Sequence, residues 1–325
     1  MPTAGTAGSY ACGDRTTTTA TTAAAVEEAG RGYRTSPIVV HVTPIQKNSL
    51  LNQVFLDALK NRDVKISKIR DSNFEKILSE ASSRWVPYEP SPEKCESAGI
   101  DSSWNKKALQ GLQLYVVDAV AVTSTNKILS AEWDHDIVSS ARPDFLEAKA
   151  MQMEASVAKE TKGKVDIVCI DGSLVSRLLR STHEMAVDMV NKCNTCIFIS
   201  KSSESRLQFG NMGSRAGDIY YYGRASQRAG FSLPVQTQFR HAQLYEVYAR
   251  LRDHTPMIRL EIYGPVGRQE VSRILDRLRY HSVSGYPYCL KLAHNTCKIS
   301  NEDIDRLASI FSLQNEQGAR DALNE

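Results

Sequence analysis

Long apolar runs are missing from this sequence. No run of about 18 consecutive apolar residues occurs in the 325-residue chain, and a helix needs roughly that length to span a bilayer. The first 35 residues or so also lack the apolar core of a signal peptide, because threonine, alanine and glycine dominate them. We therefore expect a cytoplasmic protein without membrane contact.

Regular cysteine spacing is missing as well. The chain has seven cysteines, an odd number scattered from Cys12 to Cys297, which argues against a disulfide framework and fits a reducing compartment. Cys193 and Cys196 form one C-x-x-C pair, but no second pair at zinc spacing follows. We predict no structural zinc site.

A strong net charge and a P-loop are also absent. The formal net charge is only +3, too small by itself to indicate a nucleic-acid-binding protein. Between Lys201 and Tyr280, however, every basic residue after Lys201 is arginine, and the arginine fork suits phosphate. A solvated face with scattered ion pairs explains this bias equally well. No G-x-x-x-x-G-K-[ST] occurs, so any ATP-driven motor must be another polypeptide.

The chain divides into a tail and a folded region. Residues 1–36 are low in complexity and offer little apolar surface, so we predict a disordered tail. From residue 37 onward we expect one folded domain, which starts with a short strand over 37–44 and helices over 50–61 and 74–81. Its core lies at about residues 95–300.

The core has a βαβ pattern. The strand "VDIVCID", a helix over 174–191 and the strand "TCIFISK" follow one another, which is typical of a sheet with parallel members. "GIDSSWN" and "LQLYVVDAVAV" stand at hairpin distance and predict adjacent strands. A helix is predicted over 142–160, with Pro143 in its first turn. The fold class is α/β.

Two aspartates occupy similar short motifs. Asp101 in "GIDSSW" and Asp171 in "CIDGSL" each follow an apolar residue and precede small ones, and we expect both beside tight turns at strand ends. Either alone is an ordinary turn or cap residue. Together they can converge, and two close carboxylates favour a hard divalent cation. Glu147 or Glu154, seven residues apart on one helix face, would supply a third acid.

These motifs, taken in order, resemble the NurA nucleases best known from archaea. The matching pieces from about residue 95 to the end are "GIDSSWN", "LYVVDAV", "MQMEASVA", "DIVCIDGSL", "FISKSSESR", "VYARL", "IRLEIYGP" and "GYPYCLKLAHNTCKIS". The resemblance implies an RNase H-like mixed sheet flanked by helices. It also implies a manganese-dependent nuclease that degrades single- and double-stranded DNA from the 5′ end and cuts single strands internally, in DNA end resection for recombinational repair of double-strand breaks.

The resemblance also implies a set of site residues. Asp101, Asp171 and His294 match metal ligands, Tyr286 matches an active-site tyrosine, and Glu154 is preferred to Glu147 by its spacing from Asp171. The family motif usually reads Asp-Gly-Ser, whereas Ser102 follows Asp101 here. One or two Mn²⁺ ions, or Mg²⁺ in their place, would be held there. The implied partners are DNA, a second copy of the chain and a HerA-type hexameric ATPase.

Two basic residues within "FISKSSESR" are assigned to DNA. Lys201 would neutralise developing charge and Arg206 would hold the DNA backbone. The alternative for Lys201 is a solvent-facing lysine at a strand end.

Two rival functions remain at this point. One is a catalytically inactive DNA-binding scaffold of the same fold, and the other is an actin-like phosphotransferase. The second would need glycine-rich phosphate loops, which "IDSSWNKK" lacks.

Overall fold

The computed structural model describes residues 50–139, 142–175, 196–239 and 242–313. The chain forms two compact units, residues 1–60 and 61–325. The first contributes one described helix, α1 (Leu50–Lys60), where the sequence predicts one. The predicted tail, the strand over 37–44 and Cys193 lie outside the described residues.

The predicted helices over 74–81 and 142–160 are present in the second unit, which has seven described α-helices in all. The seven are α2 (Arg62–Ser67), α3 (Phe74–Ser83), α4 (Phe145–Thr161), α5 (Asp218–Ala225), α6 (Arg268–Tyr280), α7 (Tyr288–Cys297) and α8 (Asn301–Ile310). Helix α4 begins later than predicted, since Asp144 is its N-cap and Pro143 precedes it. A capping box between Ser300 and Asp303 starts α8. Within the described ranges, no helix is long and apolar enough to cross a membrane.

A large mixed sheet organises this unit. Its strands are β1 (Trp85–Pro87), β2 (Ser97–Ala108), β3 (Gln113–Thr123), β4 (Ile128–Val138), β5 (Ile167–Asp171), β6 (Cys196–Ser200), β7 (Gly230–Ser232), β8 (Val235–Phe239), β9 (Ala242–Arg250) and β10 (Ile258–Tyr263). The spatial order is β1-β7-β9-β10-β6-β5-β2-β3-β4, with β8 beside β9. A separate two-stranded ribbon pairs β11 (Ser282–Val283) with β12 (Tyr286–Pro287).

Strand β5 lies at the centre and is parallel to both neighbours, β2 and β6, whereas the other pairs are antiparallel. The parallel pairing of β5 with β6 is the predicted βαβ arrangement, although its helix falls largely outside the described residues. The predicted adjacency of β2 and β3 is confirmed. The sequence-based interpretation missed β4, the antiparallel edge strand after β3.

Apolar layers cover both faces of the sheet. Helix α4 packs on one face of the sheet, against Ile100, Val117 and Ile170 of the strands. Helices α6 and α7 pack on the other face, where Leu275 of α6 lies in the same apolar cluster as Cys169 of β5. The predicted α/β class, with a mixed sheet flanked by helices, is confirmed. Because side chains alternate along a strand, even-numbered residues of β2 from Ile100 onward face α4 and odd-numbered ones face α7.

One local prediction is wrong. Asp101 was expected beside a tight turn, but β2 runs unbroken from Ser97 to Ala108 and keeps Asp101 inside the strand. Cross-strand pairing with β3 continues through this position, so the small residues after Asp101 extend the strand. Only Asp171 stands at a strand end, followed by Gly172 with a φ of 95°.

Candidate metal centre

Neighbouring strands bring the two aspartates together. Ile100 of β2 is in register with Ile170 of β5, and the two strands are parallel. The next residues, Asp101 and Asp171, therefore lie side by side on the face of the sheet that α7 covers. The sheet register, which acts between segments 70 residues apart, creates this pair.

Asp101 is an almost buried carboxylate, with 8% of the residue exposed. His294 Nδ1 lies 2.9 Å from its Oδ2, and the Ser102 backbone N–H donates to its Oδ1 at 2.9 Å. Burial, together with the negative charges of Asp171 and Glu154, raises the pKa of Asp101 to about 6, although the hydrogen bonds to His294 and Ser102 act in the opposite direction. A cation between these carboxylates would remove that penalty.

Asp171 has its own set of donors. The Tyr286 hydroxyl donates to Oδ1 at 2.7 Å, and Lys201 Nζ lies 3.6 Å from Oδ2. The same ammonium sits 4.8 Å from the centre of the Tyr286 ring. Burial raises the pKa of Tyr286, and the adjacent Asp171 charge adds to that rise. Tyr286 therefore remains a neutral donor toward Asp171.

The glutamates of α4 line the same cleft as the aspartates. Glu154 is buried and accepts a hydrogen bond from Ser102 Oγ at 2.5 Å. Glu147, two turns earlier, also lines the cleft, and two turns separate the glutamates by about 10 Å along the helix axis. Ser102, where this sequence departs from the family motif, thus connects β2 directly to Glu154.

The cleft has a volume of about 230 Å³. It opens between β2, α4 and the end of β5. Its lining residues are Asp101, Ser102, Trp104, Glu147, Ala150, Met151, Glu154, Asp171 and Gly172. Of the two basic residues assigned to DNA, Lys201 reaches Asp171, whereas the Arg206 guanidinium donates to the Arg215 carbonyl at 3.0 Å and lies outside this lining.

A buried ion network holds the loop after Asp171, and sequence reasoning missed it. Glu261 accepts hydrogen bonds from Ser173 Oγ at 2.8 Å and from the Leu174 backbone N–H at 2.6 Å. Arg259 Nη2 lies 2.6 Å from carboxylate oxygens of both Glu246 and Glu261. The available signal was the presence of an arginine and a glutamate inside the apolar strand "IRLEIY", because buried charges are rare unless paired.

Asp118 is a second residue that sequence reasoning missed. It lies on β3 opposite Ser103, and in the part of the chain that is described its buried Oδ1 has no hydrogen-bond partner. Burial and, to a smaller extent, the Asp101 charge raise the pKa of Asp118 to about 7, although the Ser103 backbone N–H acts in the opposite direction. A lone acid within "LYVVDAVAV" was the available signal.

The side chains fit a divalent cation by their chemistry. Within the four described ranges, no three His, Cys, Asp or Glu side chains already stand around one point as a formed metal site. Asp101 and Asp171 nevertheless present crowded oxygens that currently accept from His294, Tyr286 and Ser102. Carboxylate oxygens with one imidazole are a donor set suited to Mn²⁺ or Mg²⁺.

Comparison with known proteins places this arrangement in a family. The model of the NurA domain matches residues 96–299, a range that contains Asp101 through His294. The DNA double-strand break repair nuclease NurA of Saccharolobus solfataricus is 22% identical over 310 residues, covering 78% of this chain and 91% of that protein. The protein of the same name from Sulfolobus acidocaldarius is 23% identical over 314 residues, with coverages of 77% and 90%.

Solved structures agree on the fold. The NurA nuclease from Sulfolobus solfataricus superposes with a TM-score of 0.70 at 20% identity, over 82% of this chain and 97% of that one. A NurA bound to dAMP and manganese superposes with a TM-score of 0.62 at 12% identity, over 85% and 100% of the two chains. Since the family model spans more than half of the sequence, this chain belongs to the NurA family.

Proposed function

We propose that this protein is a metal-dependent deoxyribonuclease of DNA double-strand break repair. The observation that carries the proposal is the side-by-side placement of Asp101 and Asp171 at a cleft that Glu154 also lines. The relatives named as DNA double-strand break repair nucleases, and the neighbour bound to dAMP and manganese, support the same activity. In this proposal the enzyme degrades single- and double-stranded DNA from the 5′ end, cuts single strands internally and acts in end resection.

Four side chains would hold one or two Mn²⁺ or Mg²⁺ ions. Asp101, Glu154 and Asp171 provide oxygen ligands, and His294 provides a nitrogen. When bound, a divalent ion orients the scissile phosphate and lowers the pKa of a coordinated water. The protein's own contribution is to keep these acids fixed: Ser102 positions Glu154, and β2 and β5 hold the aspartates in register.

Three further side chains would act on Asp171 or on the DNA. Tyr286 is assigned a catalytic role because its hydroxyl fixes Asp171 Oδ1. Lys201 Nζ, near Asp171 Oδ2, provides a positive charge for the negative charge that develops on a phosphate. Arg206 is exposed and assigned to the DNA backbone beyond the cleft.

The assembly part of the proposal follows from the family. The chain would form a homodimer. It would also work with a HerA-type hexameric ATPase, because it carries no P-loop of its own. The proposed nuclease domain comprises residues 37–325.

The test uses duplex and single-stranded DNA labelled separately at the 5′ and 3′ ends. Pure protein is incubated with each substrate in Mn²⁺, in Mg²⁺ and in EDTA. We expect degradation from the 5′ end in Mn²⁺, internal cuts in single strands and no product in EDTA. Asp171→Asn should abolish product, whereas Asp136→Asn, an isosteric change at an exposed acid of the edge strand β4, should leave the rate unchanged.

Three outcomes of this experiment would contradict parts of the proposal. DNA that stays intact in both Mn²⁺ and Mg²⁺ would favour the catalytically inactive scaffold. Equal degradation by the parent and by Asp171→Asn would refute the assigned site, and degradation from the 3′ end would refute the assigned polarity.

A further inference from the structure

Trp104 is a large aromatic residue inside the acidic cleft. It lies on β2, three positions after Asp101, and 44% of the residue is exposed. It shares the α4-facing side of the strand with Ser102, and it lines the cleft together with Glu147 and Glu154. An exposed indole at this place presents an apolar surface in the middle of carboxylates.

The other two tryptophans of the chain have different environments. Trp85 is 8% exposed and packs with Tyr222, with ring centres 6.1 Å apart. Trp133 is 72% exposed on the edge strand β4 and does not line the cleft. Core packing therefore accounts for Trp85, whereas the half-exposed indole of Trp104 is directed at the space beside the candidate metal ligands.

The chemistry of the cleft indicates which part of a nucleotide fits there. Glu147, which is not among the proposed metal ligands, repels phosphate from the part of the cleft wall that it forms with Trp104. A nucleobase is uncharged and has a flat π-face that stacks on aromatic side chains without regard to sequence. The base is therefore the group that this wall accepts, and the phosphate belongs at the metal end.

The spacing along β2 separates the two positions. Three residues of an antiparallel strand span about 10 Å, so a base at Trp104 belongs to a nucleotide beside the one whose phosphate meets Asp101 and Asp171. Inside a duplex, each base is stacked and paired and offers no free face. Only an unpaired or frayed strand end can place a base against the indole.

We propose that Trp104 stacks on an unpaired base of the substrate strand and thereby directs single-stranded DNA ends into the cleft. This inference rests on the proposed function. Trp104 then sets substrate preference without taking part in bond cleavage.

The binding test follows tryptophan fluorescence while oligothymidylate is added. It uses the full chain with Asp171→Asn, so that the strand is bound without being cut, and with Trp133→Phe, which removes an exposed emitter. We expect quenching by the DNA. Trp104→Ala should abolish the quenching and weaken binding by about five- to a hundredfold, the range for loss of one stacked base.

Activity measurements separate stacking from a structural role. With the parent as reference, Trp104→Ala should raise KM for single-stranded ends and change kcat less, Trp104→Phe should restore most of the loss, and Trp133→Ala should have no effect. Trp104→Leu preserves apolar bulk without a ring, so it provides the comparison if the alanine variant does not fold. It should behave like alanine.

Two results would overturn the inference: unchanged binding and KM in Trp104→Ala and Trp104→Leu, or quenching that persists without Trp104. Failure of the proposed function is distinguishable from these results. In that case the parent would degrade no DNA in Mn²⁺, whereas Trp104-dependent quenching by the DNA would still be observed.

Discussion

Replacing Gly99 by alanine tests the contact that positions His294. Gly99 lies on β2, two residues before Asp101, on the side that α7 covers. A Cβ added there would lie 2.4 Å from the Cys289 carbonyl carbon and 2.5 Å from the Leu290 nitrogen. These are backbone atoms of two buried residues in the first turn of α7, and no side-chain rotation can move them away.

The size of the effect follows from these distances. Non-bonded carbon atoms need about 3.5 Å, so β2 and α7 must separate by roughly 1 Å. Overpacking usually costs 1–3 kcal/mol, and a contact between two backbones belongs at the upper end, about 3 kcal/mol. The same shift would lengthen the His294–Asp101 contact, now 2.9 Å, beyond hydrogen-bond distance.

Thermal or urea unfolding measures the change. We expect Gly99→Ala to lower the free energy of unfolding by about 3 kcal/mol, or the melting temperature by about 5 °C, and to reduce nuclease activity. Gly223→Ala is the matched control, since Gly223 lies in α5 and its added Cβ meets nothing within 4 Å; there alanine should stabilise by up to about 1 kcal/mol. A neutral surface change alters the free energy of unfolding by no more than roughly 0.5 kcal/mol. If Gly99→Ala has no larger effect than that, β2 and α7 can move apart at little cost and the reasoning is refuted.

Two further substitutions test the supports of Asp171. Arg259→Met leaves Glu246 and Glu261 buried without their counter-ion, so we expect a loss of about 3–5 kcal/mol in urea unfolding; an unchanged midpoint would contradict the buried network. Tyr286→Phe keeps the ring beside Lys201 and removes only the donor to Asp171. Because a hydrogen bond to a charged group contributes about 1.5–3 kcal/mol to stability, the melting temperature should fall by about 3–5 °C. Displacement of the released Asp171 carboxylate should also lower kcat by roughly ten- to a hundredfold, and full activity in the phenylalanine variant would refute its assigned role.

Much of the fold was predictable because its elements are encoded locally. The apolar spacing on α4 and the β-branched runs of β3 and β5 follow from nearest-neighbour geometry, and these elements appear close to their predicted positions. β4 was missed because acidic residues alternate along it with Trp133 and His135, and such an edge strand resembles a polar loop in sequence. The start of α4 was placed too early, because Pro143 suits the first turn of a helix as well as the residues just before it.

The candidate site shows a similar division. The acids that stand beside small residues can be read from the sequence, and its ordered motifs indicate the family and the roles proposed for Asp101, Glu154, Asp171, Tyr286 and His294. Tertiary structure alone decided that β2 and β5 are in parallel register, so that two aspartates 70 residues apart become neighbours. It also decided that Asp101 lies within a continuous strand, that Ser102 meets Glu154, and that the Arg259–Glu261 pair holds the loop after Asp171. The physical reason is that turns and helices depend on contacts a few residues apart, whereas strand register and buried charge pairs depend on how distant segments pack.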